Sequence, residues 1–148
     1  MSASDHSNFV NRDGYPLIKE IVTRWSDYDM LRHVNNVQYY RFFEFIILDN
    51  LADLGMDWIT DPEIPFVVES NCHFRKPLPR ARTIEGGIRV AHMGRSSVRY
   101  EMALFEKGAS TASAYGYFTH VYIERESEQS VPVPDVIRTG LEKIQLTA

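Results

Sequence analysis

Between Arg24 and Val37 the chain reads Arg-Trp-Ser-Asp-Tyr-Asp-Met-Leu-Arg-His-Val-Asn-Asn-Val, packing two carboxylates, an imidazole and two carboxamides into one short stretch. A run with β-branched residues precedes it and a long apolar run follows it. These polar groups therefore occupy a turn that opens a buried helix. Holding an ionisable group there costs desolvation free energy, a cost that functional sites commonly carry. Asp29 is the key residue: its carboxylate can hold and deprotonate a water, or attack a carbonyl carbon itself. A helix start offers unpaired N–H groups and about +0.5 of partial charge. Asn35, Asn36 and Val37 stand where such donors would face a developing oxyanion. Turn and N-cap chemistry also favours Asp; it is the simpler explanation for Asp27, and for His33 as an imidazole that orders the turn.

The elements around this turn follow from periodicity. Leu17 to Trp25 reads as a strand on β-branched content rather than on clean alternation. Val37 to Leu54 reads as a helix without Gly or Pro, stopped by Gly55. Val37, Tyr40, Phe43, Ile47, Leu51 and Leu54 share one face, while Phe42, Phe45, Ile46 and Leu48 make the remainder apolar too, so most of the helix should be covered. Twofold alternation then takes over across Phe66–Arg75, Thr83–His92, Ser97–Glu106 and Ala112–Ile123. Turns at Met93-Gly94 and Lys107-Gly108 suggest an antiparallel meander of these four strands, with Pro77-Leu78-Pro79 as a longer corner. Asp135 to Leu146 is expected as a short terminal helix, and the first dozen residues as a frayed lead-in. The implied class is α+β, with one sheet curled around one long helix. The outer side of so apolar a helix asks for a second subunit.

Bulk properties exclude several classes. The chain has 148 residues, a formal charge of −4 and one cysteine, Cys72. This length suits a single domain spanning 1–148, with a core over about 17–124. An acidic balance argues against nucleic acid as a partner. One cysteine cannot form an internal disulfide, which suits a reducing cytoplasmic interior and reads as inert packing. No apolar segment resembles a leader or a membrane span. The dispersed His6, His73, His92 and His120 lack metal-ligand spacing, so neither metal nor cofactor is expected.

Ser26-Asp27-Tyr28-Asp29, followed by His33-Val34-Asn35-Asn36-Val37-Gln38-Tyr39-Tyr40-Arg41-Phe42-Phe43-Glu44, resembles the signature of hotdog-fold thioesterases of the 4-hydroxybenzoyl-CoA thioesterase class. It is also similar to the Asp-x-Asp and His-Val-Asn-Asn turn of plant acyl-carrier-protein thioesterases. Phe74-Arg75-Lys76-Pro77-Leu78, Gly94-Arg95-Ser96-Ser97 and Val133-Pro134-Asp135 are similar to the same class, so the resemblance spans roughly 17–140. It implies a curved antiparallel sheet around a central helix, with active sites between the subunits of a homodimer or homotetramer. Asp29 matches the catalytic carboxylate, Asn36 falls near the backbone N–H that polarises the thioester carbonyl, and His33 matches the plant enzymes' histidine. The plant asparagine falls on Leu31, which favours a scheme with a single carboxylate. Related hydratases place an Asp where Tyr28 stands. Glu44 matches the pattern as an anchor of the turn or of the subunit partner.

The implied activity is hydrolysis of an acyl-CoA thioester, with coenzyme A as part of the substrate. Alternatives are an acyl-carrier-protein thioesterase and a non-catalytic acyl-thioester binder. Arg75, Lys76, Arg80 and Arg82 form a basic cluster that, with Arg95, would hold the nucleotide end. Ser96 and Ser97 would line a pantetheine tunnel. Tyr40, Phe43, Phe66 and Val68 would line an apolar or aromatic acyl pocket.

Overall fold

The computed structural model describes residues 9–146. His6 and the first part of the expected lead-in lie outside that span. The strands are β1 (Leu17–Val22), β2 (Glu63–Ser70), β3 (His73–Phe74), β4 (Thr83–Met93), β5 (Ser97–Glu106) and β6 (Ala114–Glu124). They form one antiparallel sheet in the order β1-β4-β5-β6-β2, with β3 also on β6. Two helices accompany it, α1 (Val37–Asp53) and α2 (Asp135–Glu142). The sheet laid against one long helix is the expected α+β hotdog architecture.

Several expectations are corrected. Only β4, β5 and β6 form the meander; β2 crosses to the far edge, where Phe66 lies opposite Val121. The connection from Phe74 to Thr83, with Pro77 and Pro79 in it, is too long for a tight hairpin. The run from Phe66 to Arg75 is also not one strand. Its register shifts between Val67 and Glu69, and Asn71 interrupts it by accepting the Tyr117 N–H on its side-chain oxygen at 2.9 Å. Gly116 permits this approach, since a Cβ there would fall 2.1 Å from the Asn71 carbonyl oxygen. Lastly, β1 stops at Val22 because a 3-10 turn at Trp25–Asp27 bends the chain toward the helix.

Helix α1 buries Tyr39, Phe42, Phe43, Ile46, Ile47, Asn50 and Leu51 against the sheet. Gly86 lets it settle close, for a Cβ there would meet Ile46 Cδ1 at 2.2 Å. Lys19 ties β1 to the helix through Asp49 and Asp53 at 2.7 and 2.8 Å. Gly55, at φ 98°, ends the helix in the left-handed region. The opposite face of the sheet carries its own cluster of Tyr15, Ala103, Phe105, Ala112 and Tyr115, covered by Phe9 and Val10. Residues 9–15 therefore pack rather than fray. A buried Arg89–Glu101 pair at 2.9 Å lies on this face, with the guanidinium 4.7 Å from the Tyr15 ring centroid. α2 adds Ile137 and Leu141 to the main core, and ends at Glu142 rather than Leu146.

Two polar groups inside this frame have measurable consequences. Asp27 is fully buried where the 3-10 turn meets α1. One of its oxygens accepts the Arg24 N–H at 2.6 Å; the other accepts from the Arg24 and Arg41 guanidiniums at 3.1 and 2.7 Å. Burial alone would raise its pKa, but the Arg24 N–H and the two guanidiniums outweigh burial and hold it below the usual carboxylate range. Asp27→Asn keeps the shape and loses the charge. Because both guanidiniums reach solvent, it should cost about 2 kcal/mol of stability, read by urea unfolding at pH 7.

His120 is buried beside Tyr100, ring centroids 5.5 Å apart, and neither of its ring nitrogens has a hydrogen-bond partner among the described residues. Burial pushes its pKa down to about 4. The folded chain then keeps His120 neutral at pH values where the unfolded chain, with its histidine near ~6.5, takes up a proton. Its contribution is fully present above that value and is lost as pH falls toward 4. Between pH 7.5 and 5 the wild type should lose about 2 kcal/mol that a His120→Leu variant does not, measured as unfolding free energy.

Candidate active site

The turn from Asp27 to Asn36 is a small hairpin held on three sides. Tyr28 bridges to Val34, the Asp29 N–H donates to the His33 carbonyl at 3.1 Å, and the Arg32 N–H donates to the Asp29 carbonyl at 3.1 Å. Arg32 takes φ 63°, the conformation that closes the hairpin. The Val34 N–H donates to the Leu78 carbonyl at 2.9 Å, and the Tyr28 hydroxyl is fixed to the backbone of Ala81. The Pro77–Pro79 corner is thus the wall against which the hairpin leans.

Asp29 Oδ1 accepts the Leu31 N–H at 2.9 Å, an Asx turn that orients the carboxylate and leaves Oδ2 open. The carboxylate borders a cleft of about 490 Å³ together with His33, Asn36, Tyr39, Phe74 and Lys76. Tyr39 is buried, with its ring 4.9 Å from Phe74 and its hydroxyl accepting the Leu78 N–H at 3.3 Å. Burial raises the Tyr39 phenol above its ordinary range, and the nearby Asp29 charge acts in the same direction.

The donors at the helix start are not equivalent. The Asn35 N–H donates to the Asp27 carbonyl at 2.8 Å, and the Val37 N–H donates to the Asn35 side-chain oxygen at 3.0 Å. Gln38 and Tyr39 donate to the carbonyls of Asn35 and Asn36 at 2.9 and 3.3 Å. The Asn36 N–H alone of the three nominated donors has no partner among the described residues. Its side chain makes no capping bond. One open amide and one oriented carboxylate therefore border the same cleft.

Most of the other nominated residues lie elsewhere. Phe43 is sealed in the core against Phe118, at 6.1 Å between centroids, while Tyr40, Phe66 and Val68 face outward. No acyl pocket of those four closes within one chain, because the register shift and the crossing of β2 put its apolar side chains on an open edge. The helical face turning into the cleft is that of Tyr39, one residue and about 100° from Tyr40. The stripe at 39, 42, 43, 46, 47 and 51 was the sequence signal for it. Arg75 and Lys76 both border the cleft, Arg75 with its guanidinium donated to the Ala112 carbonyl. Arg95, Ser96 and Ser97 sit in the β4–β5 hairpin, where Arg138 donates to the Gly94 and Arg95 carbonyls at 2.7 and 3.0 Å. Ser97 and Ala114 lie at opposite ends of the β5–β6 ladder. About 23 Å of strand separates those ends, so these three residues do not join Arg75 and Lys76 within a chain. A smaller cleft of about 260 Å³ between Leu54, Pro62 and Ile137 lies at the far end of α1. No group of three or more His, Cys, Asp or Glu among the described residues is placed to hold a metal ion. No helix among them is long and apolar enough to cross a membrane.

Comparison with solved structures places this geometry among known proteins. A protein from Pseudomonas aeruginosa strain PAO1 is 41% identical, with a TM-score of 0.90 over 93% of this chain and 97% of its own. A candidate thioesterase from Pseudomonas aeruginosa is 28% identical, with a TM-score of 0.76 over 82% and 95%. A thioesterase from Thermus thermophilus, in complex with coenzyme A and Zn, is 25% identical, with a TM-score of 0.73 over 89% and 96%. No curated protein matches the sequence. The family model of the thioesterase-like superfamily matches residues 23–141, a span that opens two residues before the Trp25–Asp27 turn and closes inside α2, and the chain belongs to that superfamily.

Proposed function

We propose that this protein hydrolyses an acyl-CoA thioester, with Asp29 as base or nucleophile and the Asn36 N–H as oxyanion donor. The supporting observation is the pairing of the one open amide at the helix start with a carboxylate on the same cleft. Superfamily membership supports thioester hydrolysis, and the coenzyme A held by the Thermus relative supports that leaving group.

In the first route Asp29 Oδ2 takes a proton from water as the water oxygen bonds to the thioester carbon. The carbonyl oxygen becomes an oxyanion facing the Asn36 N–H and the positive end of α1. The C–S bond then breaks, the thiolate leaves, and the proton held by Asp29 returns to solvent or sulfur. In the second route Asp29 attacks the carbon directly, the thiolate leaves, and water hydrolyses the resulting anhydride. A thiolate leaves readily, so neither route needs a strong general acid. His33 orders the turn through its carbonyl bond to the Asp29 N–H. Tyr39 and Phe74 give the cleft an aromatic wall suited to an apolar or aromatic acyl group.

A second copy completes the arrangement in this reading. Val37, Tyr40 and Phe45 on α1 and Phe66, Val67 and Val68 on β2 are exposed apolar side chains. β2 is also an edge strand with unpaired backbone groups. A homodimer or homotetramer would cover both and could bring another chain's Arg95, Ser96 and Ser97 toward the cleft.

Two variants test the chemistry. Asp29→Asn retains an acceptor for the Leu31 N–H, so it should fold normally while kcat on a panel of acyl-CoAs falls by about 10²–10⁴-fold. Asn36→Pro deletes the open N–H, and the Asn36 φ of −57° suits proline. With Tm preserved, kcat should drop by about 10²–10³-fold. Wild-type activity in either variant contradicts its assigned role, and a wild type inactive on every acyl group contradicts the hydrolase reading.

A further inference from the structure

Beside the reactive cleft, on the other side of the Asp29 turn, lies an unusual surface for a chain of formal charge −4. Trp25 is 86% exposed. Its indole borders two adjoining recesses of about 340 and 480 Å³, which share Tyr28 and Arg80. Arg32 lines the first and Arg82 the second. Arg32, Arg80 and Arg82 have no acidic or hydrogen-bonding partner for their side chains among the described residues. Arg24, by contrast, is committed to Asp27. The carboxylates nearby are Asp27, already neutralised by two guanidiniums, and Asp29, which borders the first recess as well as the reactive cleft.

Three unpaired guanidiniums around an open indole match a particular chemistry. Guanidiniums grip phosphate oxygens in a fork, and an indole face stacks on a purine. Recesses rather than a flat patch suit a small molecule more than a protein surface. Arg32 adds an independent sign: its φ of 63° is one that glycine adopts freely and a residue with a side chain adopts only at an energetic cost. The chain keeps a cation at a backbone position where glycine would be easier.

We infer that the surface formed by Trp25, Arg32, Arg80 and Arg82 binds the 3′-phosphorylated adenosine diphosphate end of the coenzyme A substrate. This rests on the acyl-CoA reading; of the cluster expected from sequence it keeps Arg80 and Arg82, adds Trp25 and Arg32, and leaves out Arg75, Lys76 and Arg95. Because Asp29 borders both the cleft and the first recess, a pantetheine arm can pass over the turn between them.

Adenosine 3′,5′-bisphosphate titrated into the whole protein should quench tryptophan fluorescence. Trp25→Phe should abolish the quench, and a combined Arg32→Gly, Arg80→Ala, Arg82→Ala variant should weaken binding at least tenfold; glycine suits the Arg32 backbone, so folding is spared. In the same variants KM for an acyl-CoA should rise about tenfold with kcat unchanged, while the matching acyl-pantetheine, which lacks the nucleotide, is hydrolysed as by the wild type. Bisphosphate binding without hydrolysis of any thioester sustains this surface and removes the hydrolase reading. The inference is overturned if the bisphosphate binds equally to the arginine variant. Variants that lose activity only on an acyl-carrier protein, as for an acidic protein surface, also overturn it, as does a change in subunit number with nucleotide binding intact.

Discussion

A carboxylate removed from water persists only where enough donors converge on it, and at Asp27 that convergence organises the whole mouth of α1. The Arg24 N–H and the guanidiniums of Arg24 and Arg41 satisfy its side chain, and its carbonyl takes the Asn35 N–H. Asn35 in turn uses its side-chain oxygen on Val37. Each donor at the helix start is consumed in sequence until the Asn36 N–H is left open. The mouth of the cleft is thus defined by what the structural hydrogen bonds leave over, and Asp27 holds the turn that carries Asp29.

The sheet supplies rigidity on both sides of that turn. Glycine at 86 lets α1 seat closely on β4, while the N-terminal segment closes the opposite face over the Arg89–Glu101 pair. Charge and apolar surface are segregated around the hairpin. The aromatic wall of Tyr39 and Phe74 lies to one side of Asp29, and Trp25 with its arginines to the other. A thioester with an apolar acyl group and a polyanionic carrier has the same division.

Much of this was legible in the sequence where a local signal is strong. β5 begins and ends where alternation placed it, at Ser97 and Glu106, and α1 starts at Val37, where the apolar run without Gly or Pro begins. The Asp-x-Asp turn announced itself through polar residues wedged between apolar runs. Long-range pairing was not legible. Alternation in Phe66–Arg75 says that a strand exists but not which neighbour it takes, and the break at Asn71 depends on Gly116, 45 residues away. Nor could spacing show that Ser97 and Ala114 end up at opposite ends of one ladder, which separates the Arg95 segment from the cleft. Within the site, the resemblance pointed to Asn36, but the residues themselves did not separate its N–H from those of Asn35 and Val37; their hydrogen-bond partners do. Tyr39 was displaced by Tyr40 because neighbouring aromatics blur a helical stripe.

Hydrolysis as proposed needs one scissile carbon to fit between the open amide of Asn36 and the free oxygen of Asp29. The most direct measurement is a crystal structure with an acyl-CoA analogue in which a methylene replaces the thioester sulfur, so that a ketone marks the carbonyl. That placement puts the ketone oxygen about 2.7–3.1 Å from the Asn36 nitrogen, with the Asp29 carboxylate against the carbonyl carbon directly or across one water. A ketone held away from the helix start, with the Asn36 N–H facing bulk solvent, would contradict it.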